Sequence, residues 1–349
     1  MREYDYKKEY RALLTPEIVY LLTQIHEYRG KQIIFDNCKQ DELSRILEIA
    51  KIQSVDASNR IEGIYTADDR LRKIVLDKTT PQNRSEKEIA GYRDVLTIIH
   101  ESYEHIPIKD NTMLQMHRDL YKYSGEINSG SFKNVDNEII ETDKNGNVHL
   151  RFVPVKSWET KEHINEMCIA YAEVLKEDYF NPLLIIPMFI LDFLCIHPFS
   201  DGNGRMSRLL TLLLLYKNDY TVGKYISIEN LINKSKEEYY ETLKECSEGW
   251  HENENTYLPF VKYMLEIIVS AYREFYGRLS LIKESSFSKP DKIREVIKNK
   301  LGKITKAEIM EKCPDVSHIT VQRTLRELQE KGEIKKIGNG RYTSYVWGD

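Results

Sequence analysis

The segment His197-Pro198-Phe199-Ser200-Asp201-Gly202-Asn203-Gly204-Arg205-Met206-Ser207-Arg208 brings an imidazole, a carboxylate, two glycines and two arginines together within twelve residues. It lies between an apolar run ending at Ile196 and another through Leu209 to Leu215, so the loop sits at a helix N-terminus. Gly202 and Gly204 permit positive φ and close backbone approach. The N–H groups around Asn203 can therefore form a concave nest for anions, reinforced by the positive end of the following helix. Arg205 and Arg208 add cationic forks three residues apart on that helix. These groups suit a polyphosphate. Asp201 among them would be repulsive unless a hard cation such as Mg²⁺ bridged its carboxylate to phosphate oxygens. His197, as a neutral imidazole four residues before Asp201, would take a proton from an attacking hydroxyl while the loop holds the phosphorus in line. Phe199, apolar between polar neighbours, is expected to point inward and anchor the loop.

These side chains need a helical frame. Residues 1 to about 120 carry helical periodicity, as in Ile18, Leu21, Leu22, Ile25 and in Leu43, Ile46, Leu47, Ala50. Between Gly125 and Pro154 short β-prone runs flank Asp143-Lys144-Asn145-Gly146-Asn147, which predicts one β-hairpin inserted in a helical domain. Helices resume from Trp158, with Ser157 and Ser235 as expected caps, and end near Ile282. The run Leu183 to Ile196 contains Pro187 and Asp192 and is too short to span a bilayer, so it reads as a buried helix. The polar stretch Lys283 to Lys292 reads as a linker.

The twelve-residue loop resembles the signature HxFxDGNGRxxR of the Fic (filamentation induced by cyclic AMP) family, with every position filled. A histidine at a helix end or a Gly-Asn-Gly turn is usually structural when met alone; their joint occurrence carries the resemblance. It implies a mainly α fold, a Fic helical core with a β-hairpin flap, and transfer of AMP from ATP to a hydroxyl side chain of a target protein. By that resemblance His197 is the general base and Asp201 the Mg²⁺ ligand. Gly202, Asn203, Gly204 and Arg205 cradle the α- and β-phosphates, and Arg208 clamps the γ-phosphate. The hairpin at 131–154 occupies the place of the family's flap, which lines up a target segment by strand addition. Tyr239-Tyr240 looks like the family's paired tyrosines near the nucleotide base, although Ser247 stands where some relatives have Asn.

Upstream, Ser58-Asn59-Arg60-Ile61-Glu62-Gly63 is similar to the inhibitory SxxxEG motif of Fic proteins that carry their own regulatory helix. Ser58 and Glu62 are four apart and share a helix face, so Ser58 can face the loop while Glu62 reaches Arg208. A carboxylate there would take the place of the γ-phosphate and leave the α-phosphorus out of line with His197. Glu62 thereby joins the ATP-binding residues as an obstruction, and the resemblance implies an enzyme that idles.

The chain of 349 residues has 51 Lys and Arg against 55 Asp and Glu, a net charge of −4 that argues against a whole-molecule nucleic-acid or membrane-surface binder. From Ser285 onward 14 Lys or Arg stand against nine Asp or Glu, a net +5, which supports a separate C-terminal domain. Its helices (Asp291–Lys300, Lys306–Lys312, Ser317–Lys331) and a ribbon turning at Gly338-Asn339-Gly340 resemble a winged helix-turn-helix. In that reading Ile319, Leu325 and Leu328 are buried, Ser317, Thr320, Gln322, Arg323 and Arg326 face a partner, and Lys335, Lys336 and Arg341 reach phosphate. The domains expected are residues 1–110 with the inhibitory motif, 111–282 with the catalytic core, and 285–349.

Five dispersed cysteines, never paired as CxxC, fit a reducing cytosol, and the first residues show no secretory signal, so a cytoplasmic protein is expected. The partners expected are a target protein with a Ser, Thr or Tyr hydroxyl, the chain itself as acceptor, DNA or protein on the winged helix, and a second copy in a homodimer. No membrane partner is expected. Two other functions fit the same residues: a DNA-binding regulator whose core senses nucleotide without transferring it, and an enzyme that removes AMP or transfers another phosphate-containing group.

Overall fold

The computed structural model describes residues 2–35, 40–142, 146–286, 288–298, 300, 302–313, 316–338, 340 and 343–348. Two units emerge, Met1–Phe275 and Tyr276–Asp349. The first begins with α1 (Tyr6–Ala12), α2 (Pro16–Phe35), α3 (Gln40–Ile61), α4 (Asp68–Leu76), α5 (Arg84–Ser102) and α6 (Asp110–Leu120). Strands β1 (Ile139–Thr142) and β2 (Val148–Phe152) follow, then α7 (Thr160–Val174), α8 (Pro182–Ile196), α9 (Asn203–Lys217), α10 (Ile228–Lys234) and α11 (Lys236–Ser247). Helix α12 (Leu258–Ser286) crosses the boundary between the units.

The run read as a buried helix is α8. Asn181 caps it by accepting from the Leu183 N–H, Pro182 occupies the first turn where no donor is needed, and its side chains are buried on nearly every side. Helix α8 packs on α9 and α7, α5 packs on α6, and α3 packs on α5 and α10. Helix α3 ends because Gly63 takes φ +76°, a left-handed turn in which Ile64 N–H reaches Asn59 O and Gly63 N–H reaches Arg60 O. That turn fixes where Glu62 emerges.

The predicted hairpin is present, antiparallel, with Ile140 opposite Leu150 and Glu141 opposite His149. Strand pairing covers only the middle of the expected 131–154 segment, and Asp143, Lys144 and Asn145 at the turn lie outside the described residues. One expected cap is corrected and the other holds in position only. Ser157 lies before α7, whose N-cap is Glu159, and its N–H goes to Asp136 instead. Ser235 does precede α11, but its hydroxyl turns back to Leu231 O and Tyr263.

The second unit contains α13 (Lys289–Lys298), β3 (Ile304–Thr305), α14 (Lys306–Lys312), α15 (His318–Glu330), β4 (Ile334–Ile337) and β5 (Ser344–Trp347). Its strands form an antiparallel sheet in the order β3-β5-β4. The expected linker is mostly helical: α12 runs on to Ser286 and α13 starts at Lys289, since Pro290 fits the first turn of a helix as readily as a loop. Strand β3 was not foreseen; two residues carry no readable alternation. Ile319 is a further correction. It is 77% exposed, while Val321, Thr324, Leu325 and Leu328 make the inner face of α15, because that face follows 321, 324, 325 and 328 and leaves position 319 outside. Pro314, Asp315, Asn339 and Arg341 lie outside the described residues. Among the described residues no helix is long and apolar enough to cross a membrane, and Cys168, Cys195, Cys246 and Cys313 are buried free thiols.

A buried ion pair anchors α8. Asp192 is fully buried and accepts from Arg2 at 3.3 Å, Trp250 Nε1 at 2.7 Å, Tyr6 at 2.9 Å and Tyr257 at 2.9 Å. Burial pushes its carboxyl upward, against the pull of Arg2, which also bonds Tyr257, Trp250 O and Asn255. Removing one partner of such a pair leaves a buried charge uncompensated. Arg2→Met is expected to cost about 3–5 kcal/mol in urea unfolding at pH 7, and adding Asp192→Asn to recover a large part of it, since a neutral amide needs no cation.

Candidate active site

Where α8 ends, the chain reverses on His197 itself, which takes the left-handed conformation (φ 51°, ψ 61°) while its N–H still reaches Phe193 O at 3.0 Å. Gly202 caps α9. Between them the loop is held by Asn203, whose amide accepts from Phe199 N–H at 2.9 Å and donates to Phe199 O at 2.7 Å. Phe199 is fully buried, as expected, and stacks on the ring of His117 with centroids 3.9 Å apart.

The two imidazoles have different tautomers, each dictated by its partners. His197 Nδ1 faces Leu194 O at 3.2 Å; a carbonyl only accepts, so Nδ1 carries the proton and Nε2 keeps a lone pair. Burial lowers the His197 pKa to about 4, with the Lys133 cation acting in the same direction against the Leu194 bond. His117 is the reverse. Its Nδ1 accepts the Gly130 N–H at 3.0 Å, so Nε2 donates to Asp201 O at 3.1 Å, and burial lowers its pKa to about 4 as well. His197 is thus a neutral imidazole able to accept a proton at Nε2, and His117 a neutral brace between the loop and the segment leading to the hairpin.

A cavity of about 940 Å³ is lined by His197, Asp201, Gly202, Asn203, Gly204 and Arg208, with Glu62, Tyr239 and Tyr240 also on its wall and strands β1 and β2 contributing Ile140 and Arg151. Most of the predicted site residues therefore meet around one space. Arg205 is not on that wall: it is buried, its guanidinium 2.8 Å from Glu88 and bonded to Tyr121 at 2.7 Å. Arg208 is 3% exposed and donates to Ser58 Oγ at 2.8 Å, Ser58 O at 2.9 Å and Glu62 Oε1 at 2.7 Å. Burial opposes its charge, yet the Glu62 carboxylate holds its pKa above the usual arginine value. A Cβ on Gly204 would lie 2.2 Å from Glu62 Oε1, so the carboxylate rests against the backbone of the predicted phosphate nest. Gly63 shapes the turn behind it and does not line the cavity.

Tyr239 is 3% exposed and packs on Phe260 and Tyr263, while the ring of Tyr240 faces Arg151, which donates to Tyr240 O at 3.1 Å. Ser247 also lines the cavity, its hydroxyl turned to Lys244 O. The sequence reading missed His117, Tyr121, Glu88 and Arg151. Each is bound to a residue more than eighty positions away, and nothing in the local pattern of α5, α6 or β2 signals such a partner.

The donor set bears on a metal. Asp201 has a side chain 69% exposed, with one oxygen taking the Gly202 N–H and the other 3.9 Å from Arg205. Among the described residues no cluster of three or more His, Cys, Asp or Glu could hold an ion. One open carboxylate fits Mg²⁺, which is often bound through one or two carboxylates plus substrate phosphates, and does not fit a cation held by the protein alone.

Residues 107–215 match the Fic/DOC family. The chain is 23% identical over 241 residues to Protein adenylyltransferase Fic of Nematostella vectensis, covering 66% of this chain and 50% of that protein. It is 25% identical over 232 residues to the protein of the same name from Drosophila erecta, covering 64% of this chain and 41% of that protein. The chain thus spans half or less of the length of these relatives. A crystal structure of a Fic family protein from Desulfovibrio desulfuricans superposes with a TM-score of 0.61 at 21% identity, covering 96% of this chain and 97% of that one. The class is a helical protein with an inserted hairpin. Within it, residues 107–215 of this chain match the Fic/DOC family, and the chain shares its fold with a Fic family protein of known structure.

The depressed pKa values give a sign-specific expectation. An unfolded histidine titrates near 6.5, so on acidification the unfolded chain takes up protons before the folded one does. The contribution of His197 and His117 to stability is intact above about pH 6.5 and is lost as the pH falls through about 4. Ring titration by NMR should place both midpoints near 4; values at or above the ordinary histidine pKa would contradict the buried, neutral assignment.

Proposed function

We propose that this chain is an autoinhibited protein adenylyltransferase that moves AMP from ATP to a Ser, Thr or Tyr hydroxyl of a target protein, itself included. The observation that carries the reading is Arg208. It is a buried cation at the wall of a cavity of about 940 Å³ that His197 also lines, and Glu62 is its present partner.

In the proposed step the target hydroxyl lies against the cavity face of His197, held by strand addition to the hairpin. His197 Nε2 takes the hydroxyl proton as the oxygen bonds to the α-phosphorus. The bond from that phosphorus to the bridging oxygen breaks, and pyrophosphate leaves. The backbone of Gly202 to Gly204 and the positive end of α9 face the growing negative charge. Mg²⁺, when bound at Asp201 with the nucleotide, would supply further charge neutralisation. Arg205 acts from behind the loop through Tyr121 and Glu88, which makes it a support for the cradle more than a phosphate ligand.

Inhibition follows from occupancy. A γ-phosphate needs a cationic partner, and the Arg208 fork already serves Ser58 and Glu62, so ATP enters with its phosphates displaced from the line to His197. The second unit is proposed as a winged-helix module that recruits target protein or nucleic acid through the outer face of α15, where Ile319, Arg323 and Arg326 are exposed.

Glu62→Gly is expected to raise incorporation of labelled AMP into the protein itself or a lysate by tenfold or more. Equal labelling of variant and parent would remove the brake from the account. In the Glu62→Gly background, His197→Ala should lose transfer while ATP still binds, because the imidazole acts on the nucleophile; undiminished labelling would overturn its role as base.

A further inference from the structure

His197 pays for its reach into the cavity with a left-handed backbone, a conformation that costs a residue with a Cβ about 1–2 kcal/mol. Something must hold the peptide groups around it. The last carbonyls of α8 also need partners, as at every helix C-terminus.

One residue supplies both, and it comes from neither α8 nor the loop. Lys133, 3% exposed, lies in the segment that leads from α6 into the hairpin. Its Nζ donates to Ile196 O at 3.0 Å and its backbone N–H to Pro198 O at 2.9 Å, so the carbonyls on both sides of His197 end on the same residue. Asn137 completes the clasp, accepting from Lys133 Nζ at 2.8 Å and donating to Phe199 O at 3.2 Å. The ammonium meets the negative end of the α8 dipole, which offsets part of the cost of burying it. Burial nevertheless lowers the Lys133 pKa to about 8. Such a cation is retained where its contacts matter.

We infer that Lys133 is a positioning residue for the general base: by clasping the peptide carbonyls before and after His197 it aims the imidazole into the cavity and ties that aim to the hairpin. The hairpin edge that would seat a target begins at Ile139, six residues beyond Lys133 and two beyond Asn137. The target hydroxyl and the base that deprotonates it would then share one mount, and error in placing one would carry to the other. This inference rests on the adenylyl-transfer reading for its consequence, though not for its geometry.

The test uses the full chain in the Glu62→Gly background, with ATP and Mg²⁺. Lys133→Met keeps the stem and the backbone N–H but removes both Nζ bonds. It is expected to lower kcat for self-labelling tenfold or more, with the KM and the dissociation constant for ATP within threefold. Amide hydrogen exchange over residues 197–200 should quicken. Lys133→Arg, which keeps a donor at the Ile196 carbonyl, should recover part of the rate, and Asn137→Ala should give a smaller loss of the same kind if Lys133→Met folds poorly. Turnover within twofold of the parent, or a loss of ATP affinity as large as the loss in kcat, would overturn the positioning role. Should the Glu62→Gly parent itself transfer no AMP, the adenylyl-transfer reading fails. The clasp is then judged by exchange alone, where unchanged protection of residues 197–200 in Lys133→Met overturns it.

Discussion

A guanidinium removed almost wholly from water must have an anion or several carbonyl and hydroxyl oxygens around it, and Arg208 is satisfied by Ser58 and Glu62 from a helix about 150 residues earlier in the chain. This requirement orders the rest of the site. It holds the end of α3 against α9 and sets the Glu62 carboxylate against Gly204. It also makes any competing anion a rival for one fork of donors. On the proposed reading a carboxylate and a terminal phosphate exchange there, and one buried cation serves both a resting and a working state.

The loop that carries the His197 imidazole is held by mutual contacts. Phe199 is locked on both its backbone groups by Asn203 and stacked on His117, and His117 in turn is bonded to Gly130 and Asp201. Two neutral histidines with opposite tautomers do different work here. One presents a lone pair, and the other spends both nitrogens on backbone. Charging the second would set two donors against each other at the Gly130 N–H, so its neutrality belongs to the architecture.

The resemblance assigned Arg205 and Arg208 similar duties as phosphate ligands, yet their surroundings differ. Arg208 lines the cavity; Arg205, three residues earlier, is turned to Glu88 and Tyr121 behind the loop. Helical spacing of three places two side chains about 60° apart around the axis, enough for one to reach the cavity and the other the packed side of the loop. Similar geometry explains Ile319. Read as one more apolar position on α15 it belonged inside, but the helix turns it away from the sheet.

What the sequence by itself determined is local and periodic: the helical frame, the inserted hairpin, the two apolar helices around the loop, and the loop's own stock of base, acid, glycines and arginines. Its family resemblance carried the pairing of the upstream serine and glutamate with Arg208, because helical spacing puts Ser58 and Glu62 on one face. What only the tertiary structure decided are the contacts between distant segments: His117 beneath Asp201, Glu88 and Tyr121 around Arg205, Arg2 on Asp192, and Lys133 astride His197. None of these has a sequence period, since each depends on which helix faces meet after packing. The tautomer of each histidine follows from the carbonyl or N–H that packing sets against it, and the depressed pKa chiefly from burial.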